Sequence, residues 1–336
     1  MLLIHGIESN ASTWDSTKSL LNLSGSYAAS AIGLTWTDHL SSQASAVSSY
    51  LSGTGVADST ILVGHSQGGL VARIATRTTP VKGILTIGTP HDGAPIVNSS
   101  SELILDESEI GLDEYLAVTN LPTFCGNHPD ADVCEASPRA VDVAAVVLGL
   151  FELGGGVAGE WTLSHDDLPE MNPVSTTIAG LQSGYASEQT GGRRVSIRVD
   201  DEQEEAGPFR FLSDADFGSS YSATAENNAS EMDTIGYLFE LWGFQAETLI
   251  DPEETGALDE GDMAGSMEDM GFFFQQFCAI DWNYDFVGGG ANDGIVPWSN
   301  QVMPSSSALT LLYKSHAEET KQATTILGAL NSMTTP

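Results

Sequence analysis

The stretch Gly64-His65-Ser66-Gln67-Gly68 places a serine between two glycines, with one residue intervening on each side. It follows the apolar run Thr60-Ile61-Leu62-Val63 and precedes Gly69–Thr76, where Leu70, Val71, Ile74 and Ala75 recur at helical spacing. A strand-to-helix turn this tight needs small residues around the serine, and it lifts the hydroxyl above the sheet edge. The chemistry is that of an activated nucleophile. A serine hydroxyl is weak unassisted, so it needs a general base, and the base needs a carboxylate to orient it.

Seven histidines could supply the base. His5, His39 and His65 precede or abut the serine. His91 follows Gly88-Thr89-Pro90 at a strand end, and His128 and His165 lie in a less regular middle region. Only His316 follows the last strand candidate, where a loop returns to the edge that carries Ser66. The acid expected with it is Asp293, in Asn292-Asp293-Gly294-Ile295-Val296-Pro297. Asn-Asp-Gly is also ordinary turn chemistry, and a turn can present a carboxylate. Asp281 and Asp285 are rivals without that turn. An oxyanion formed on attack would meet the backbone N–H groups of Ile7, after His5-Gly6, and of Gln67, after the serine. Each such donor is typically worth about 3–4 kcal/mol in the transition state.

The elements that must hold these residues read as alternating strand and helix. Strands are expected at Leu2–Ile4, Ala31–Trp36, Thr60–Val63, Gly83–Ile87, Arg194–Val199 and Ala308–Tyr313. Helical spacing covers His39–Leu51 and Glu318–Leu330. Short unalternating apolar runs separated by helices argue for a parallel sheet covered on both faces. Two insertions interrupt it, about 96–190 and 201–285, leaving a core of 1–95, 191–200 and 286–336. The first insertion holds the apolar piece Val143–Leu153, followed by Gly154-Gly155-Gly156. The second is acidic, with one apolar helix candidate, Ile235–Phe244. Such pieces suit a cap, and Val143–Leu153 suits a lid.

The chain has 336 residues, 41% of them apolar, enough for a full core. There are 46 Asp+Glu against 11 Lys+Arg, a formal net charge of -35. That field repels phosphate backbones and anionic membranes, so nucleic acid is not an expected partner. Adaptation to high salt and an ordinary acidic secreted or marine enzyme are the two readings of this charge. Neither a signal peptide nor a membrane span is visible; the run Met1–Ile4 is too short for either. Because the chain opens on a core strand, a trimmed chain or incomplete reading frame is expected. Cys125 and Cys134 bracket a polar stretch that suits an extracellular disulfide loop, and hence secretion. Cys278 reads as a small buried hydrophobe.

His5-Gly6, Gly64-His65-Ser66-Gln67-Gly68, Gly88-Thr89-Pro90-His91, Asn292-Asp293-Gly294 and His316 together resemble the landmarks of lidded bacterial lipases. Related landmarks occur in GPI inositol-deacylase-like hydrolases. The resemblance covers residues 1–95 and the segments near 290–320. It implies an α/β-hydrolase fold, the chain order nucleophile, acid, base, and hydrolysis of a carboxylic ester through an acyl-enzyme. Calcium-dependent members of that family ligate calcium just after the catalytic histidine. The corresponding positions are Glu318, Gln322 and the carbonyl of Ile326, with Glu where the family has Asp. The upstream partner is open between Asp269 and Asp281.

The expectation is therefore one α/β-hydrolase domain with a cap, acting as a lipase or esterase on medium- or long-chain acyl esters. The chemistry needs no cofactor. A small-molecule or lipid ester is the expected partner, met at a lipid interface without stable membrane insertion. A polyester hydrolase, thioesterase, acyltransferase or non-catalytic binding protein on the same fold remain alternatives.

Overall fold

The computed structural model describes residues 1–7, 9–98, 168–200, 288–312, 314, 316 and 318–334. Expectations for Val143–Leu153 and its glycines, Ile235–Phe244, the three cysteines, His128, His165, Asp269, Asp281 and Asp285 lie outside the described residues.

Six parallel strands form one sheet in the order β2-β1-β3-β4-β5-β6. They are β1 Leu2–Ile4, β2 Ser30–Ile32, β3 Ile61–His65, β4 Gly83–Ile87, β5 Arg194–Asp200 and β6 Ser307–Leu312. The helices are α1 Asp15–Leu23, α2 Leu40–Thr54, α3 Gln67–Thr76, α4 Thr176–Ser183 and α5 Ala323–Thr334. Successive strand residues point to opposite faces, and both faces are apolar. Leu2, Ile4, Leu62 and Ile84 pack with Leu40, Val47, Leu70 and Val71 of α2 and α3. Leu3, Ile61, Val63, Leu85, Ile197 and Val199 pack with Leu21 of α1 and Ile326 and Leu330 of α5. Burying one such side chain stabilises by about 1.5–3 kcal/mol, so the sheet register is fixed from both sides.

Three elements depart from their expected bounds by three residues or more at one end. β2 stops at Ile32, because the chain leaves the sheet at Gly33 and the Leu34 N–H turns to His5 Nε2 at 3.0 Å. The α2 helix runs to Thr54 and ends on Gly55 in the left-handed region, φ 66°. The last helix begins at Ala323, not Glu318: Glu319–Lys321 form a 3₁₀ turn and Gln322 breaks it at φ -82°, ψ 53°.

The chain divides into two compact units: Met1–Asn98, Ser164–Glu204 and Phe286–Pro336; and Ser99–Leu163 with Glu205–Asp285. Residues 168–190, assigned above to the first insertion, thus belong to the first unit. The reason is burial: Met171, Ile178 and Leu181 join the apolar cluster under α2 and α3. No helix among the described residues is long and apolar enough to cross a membrane.

Candidate active site

From β1 the chain moves outward to β2, then crosses back to β3 on the other side. Such a reversal opens a crevice at the carboxyl ends of the two diverging strands. The loop after β1 carries Gly6 and Ile7, and the turn after β3 carries Ser66.

Ser66 is held at φ 54°, ψ -131°, a region costly for a non-glycine residue. Its N–H donates to Ile87 O at 3.0 Å, and its carbonyl accepts from Gly69 N–H at 3.0 Å. A Cβ at Gly68 would collide with the backbone of Ile4 and His5, so only glycine lets α3 start against the end of β1. Gly6 presses on the nucleophile from the other loop; a Cβ there would sit 2.7 Å from Ser66 Cβ and 3.2 Å from Oγ. The expected oxyanion donors flank this point. Ile7 follows Gly6, and Gln67 is the first residue of α3, where backbone N–H groups have no intrahelical partner.

The structure brings the three expected side chains together. Ser66 Oγ lies 2.8 Å from His316 Nε2, and His316 Nδ1 lies 2.8 Å from Asp293 Oδ2. All three residues are buried. The acid turn is self-made: Asn292 Oδ1 accepts from Gly294 N–H at 2.8 Å, and Asp293 Oδ1 accepts from Ile295 and Val296 N–H at 3.0 and 2.7 Å. The Gln301 amide adds a bond from Nε2 to Asp293 Oδ2 at 3.1 Å. Behind the serine, His65 Nε2 donates to the His316 carbonyl at 3.0 Å and so ties the base loop to the nucleophile turn.

Glu319 is a participant that the sequence reading missed. It is fully buried, 3.1 Å from His65 Nε2 and 3.5 Å from His316 Nδ1. Gly88 makes room for it, since any Cβ there would land on its carboxylate. The one available signal was spacing: three residues after a base on a turn is the same side of the chain. His65, His316 and Glu319 are also the one cluster of potential metal ligands among the described residues.

Charge is shared across this buried group, so its proton equilibria belong to the cluster. Burial, with Glu319 nearby, pushes Asp293 up to about 6 against the pull of His316. Burial disfavours the imidazolium of His316, but the Asp293 and Glu319 carboxylates outweigh it and push its pKa up to about 10. Burial would raise Glu319 too, yet His316 and His65 hold it down to about 2. In its neutral form the His316 ring can take a proton from a hydroxyl, and the two carboxylates stabilise the resulting imidazolium.

The other described histidines have separate partners. His91 is buried between Arg73 Nη1 at 3.1 Å and Thr86 Oγ1 at 2.9 Å, and burial and Arg73 drive its pKa well down. His39 approaches Glu170 at 3.5 Å.

The positions expected for calcium have other partners. Glu318 Oε1 is 2.9 Å from Lys314 Nζ, and Gln322 Nε2 donates to the Glu318 carbonyl at 3.4 Å. Ile326 sits inside α5 with its side chain in the core, where a helix carbonyl is committed to the residue four further on. An ammonium on the first ligand and a helical carbonyl as the third do not fit the oxygen cage calcium takes.

A family model, the PGAP1-like alpha/beta domain, matches residues 26–107. No curated protein matches the chain. Among solved structures, the Bacillus licheniformis lipase BlEst2 in mature form is 12% identical, over 99% of this chain and 91% of that one, at TM-score 0.48. MenH from S. aureus is 11% identical over 99% and 94%, at TM-score 0.35. An extracellular alpha/beta-hydrolase from a Paenibacillus species is 25% identical over 29% and 44%, at TM-score 0.25. With its parallel sheet reversing between β1 and β3, its serine on the turn into α3, and residues 26–107 matching the PGAP1-like domain, the chain has the α/β-hydrolase fold.

Proposed function

We propose that this hydrolase cleaves carboxylic esters, with Ser66 as nucleophile, His316 as base and Asp293 as acid. The supporting observation is the unbroken pair of 2.8 Å contacts running from Ser66 Oγ through the His316 ring to Asp293. In this reading Ser66 Oγ attacks the ester carbonyl and passes its proton to His316 Nε2. The tetrahedral oxyanion takes hydrogen bonds from the Ile7 and Gln67 N–H groups. On collapse the alkoxide leaves with the proton from His316, and the acyl group stays on Ser66. Water then attacks the acyl carbonyl and gives its proton to His316, which returns it to Ser66 Oγ as the acyl–oxygen bond breaks and the acid departs. No cofactor enters the scheme.

Acyl esters of medium or long chain, met at a lipid interface by a secreted enzyme, are the substrate class we assign. The experiment is hydrolysis of a p-nitrophenyl ester series of rising acyl length, by the parent and by Ser66→Ala. The reading expects turnover that peaks at medium or long chains and is abolished in Ser66→Ala. Turnover that survives Ser66→Ala overturns it, and a peak at the shortest chain overturns the substrate class.

A further inference from the structure

His316 faces two carboxylates, and chemistry alone does not choose between them. Nδ1 is 2.8 Å from Asp293 Oδ2 and 3.5 Å from Glu319 Oε1. What differs is how the two are held. Asp293 accepts three further hydrogen bonds, from the Ile295 and Val296 N–H groups and from Gln301 Nε2. The Glu319 oxygens are buried and, among the described residues, face only two histidine rings, His65 Nε2 at 3.1 Å and His316 Nδ1 at 3.5 Å, with no backbone or amide donor to fix them. Several fixed donors hold a carboxylate in one place.

Of the three donors on Asp293, two belong to its own turn. Gln301 is the outside one. Its Oε1 accepts from Val199 N–H at 2.6 Å, and its Nε2 faces Val199 O at 3.0 Å, Val296 O at 2.9 Å and Asp293 Oδ2 at 3.1 Å. Turning the amide over would set its oxygen against two carbonyls and a carboxylate, so the network fixes its orientation. The side chain occupies a peptide's place beside the end of β5. From there it aims an N–H at the same carboxylate oxygen that accepts the hydrogen bond from His316 Nδ1.

We propose that Gln301 is a positioning residue that selects Asp293 over Glu319 as the carboxylate partner of His316. The proposal rests on the reading that Ser66, His316 and Asp293 carry the reaction. Without the Gln301 donor, Oδ2 loses its outside anchor, the acid turn loosens from β5, and the imidazole leans toward Glu319. Glu319 then becomes the partner on which turnover depends.

The test is a four-member cycle of parent, Gln301→Met, Glu319→Gln and the double variant, with Ser66→Ala as blank. Initial rates are read on one soluble chromogenic ester at each variant's own pH optimum, and folding is checked by circular dichroism. Gln301→Met should lower kcat by at least about tenfold, with KM within about twofold. Glu319→Gln should cost about threefold in the parent and about thirtyfold in the Gln301→Met background, a coupling of about tenfold. Losses that multiply without coupling, or an unchanged kcat in Gln301→Met, overturn the proposal. Should Gln301→Met fail to fold, Gln301→Asn keeps an uncharged amide on a shorter stem; the same coupling is expected there, and its absence is equally fatal. Activity surviving in the Ser66→Ala blank defeats the functional reading itself, and the proposal with it. A silent blank with an uncoupled cycle defeats only the role of Gln301.

Discussion

His316 is bound to Asp293 twice. The side-chain contact from Nδ1 to Oδ2 is 2.8 Å, and the His316 backbone N–H also donates to the Asp293 carbonyl at 2.9 Å. Acid and base are therefore delivered as one joined unit. Serine and base sit on separate elements, and His65 links those elements by its bond to the His316 carbonyl. Removing the imidazole should thus leave the acid turn intact.

His316→Ala should fold and lose nearly all ester hydrolysis, close to the loss in Ser66→Ala, because nucleophile and base act as a unit. Asp293→Asn should lose roughly a hundredfold less, leaving a misoriented imidazole. Single-turnover rates on one ester rank the three variants. If Asp281→Asn or Asp285→Asn proves the crippling change, Asp293 is not the acid.

Glu319→Gln should move the acid limb of kcat/KM to lower pH. Two carboxylates favour the charged form of His316, and removing one favours the neutral base down to lower pH. Asp293 also loses the neighbour that raises its pKa, so both groups shift the same way. An opposite charge at this range is worth about one pH unit or more. A limb that stays put or climbs in pH–rate profiles would show that Glu319 does not act on the base.

Arg73 and Glu188 form a fully buried pair under α3, with Nε 2.9 Å from Oε1; Arg73 Nη2 also bonds Leu181 O at 2.7 Å. Glu188→Gln leaves the guanidinium without its counter-charge, a defect that typically costs about 3–5 kcal/mol. Thermal and urea unfolding should register that loss, while turnover per folded molecule at low temperature stays near the parent's. A melting temperature equal to the parent's would mean the pair contributes nothing net.

Salt should stabilise the protein. With a net charge of -35, surface carboxylates mostly neighbour one another, and folding concentrates them. At about 1 M potassium chloride the Debye length falls to roughly 3 Å. The melting temperature should rise between low salt and that concentration, with chelator present throughout to separate any calcium effect. Sulfate would strengthen apolar burial in almost any protein and is unsuitable. A flat or falling series would remove the acidic surface as a source of strain.

The sheet and Ser66 were legible because both depend on local signals. Apolar runs such as Ile61-Leu62-Val63 announce a strand buried on two faces, and the flanking glycines announce the turn. Asp293 was legible through Asn292 and Gly294, whose turn chemistry the structure uses directly. Glu319 was not. It sits in the polar run Glu318-Glu319, which reads as an exposed helix face, and the break at Gln322 that turns it inward leaves no mark in the sequence. Gln301 escaped for a related reason: its partners Val199 and Asp293 are defined by tertiary contact. The segment 168–190 was misassigned because Ile178 and Leu181 give too short an apolar pattern to reveal which unit they bury against.

The neighbours of β5 are far away along the chain. Leu85 of β4 pairs with Val195, and Val195 pairs with Ser307 of β6. Each pairing closes a loop of more than a hundred residues, at an entropic cost of about 4 kcal/mol from the length-dependent part alone. β1, β2, β3 and β4 meet over shorter distances, so the nucleophile turn can take shape early in folding or synthesis. The strand that leads to His316 joins the sheet only after both long closures. Recovery of hydrolysis on refolding should therefore lag behind formation of the first strands, because the serine waits for its base.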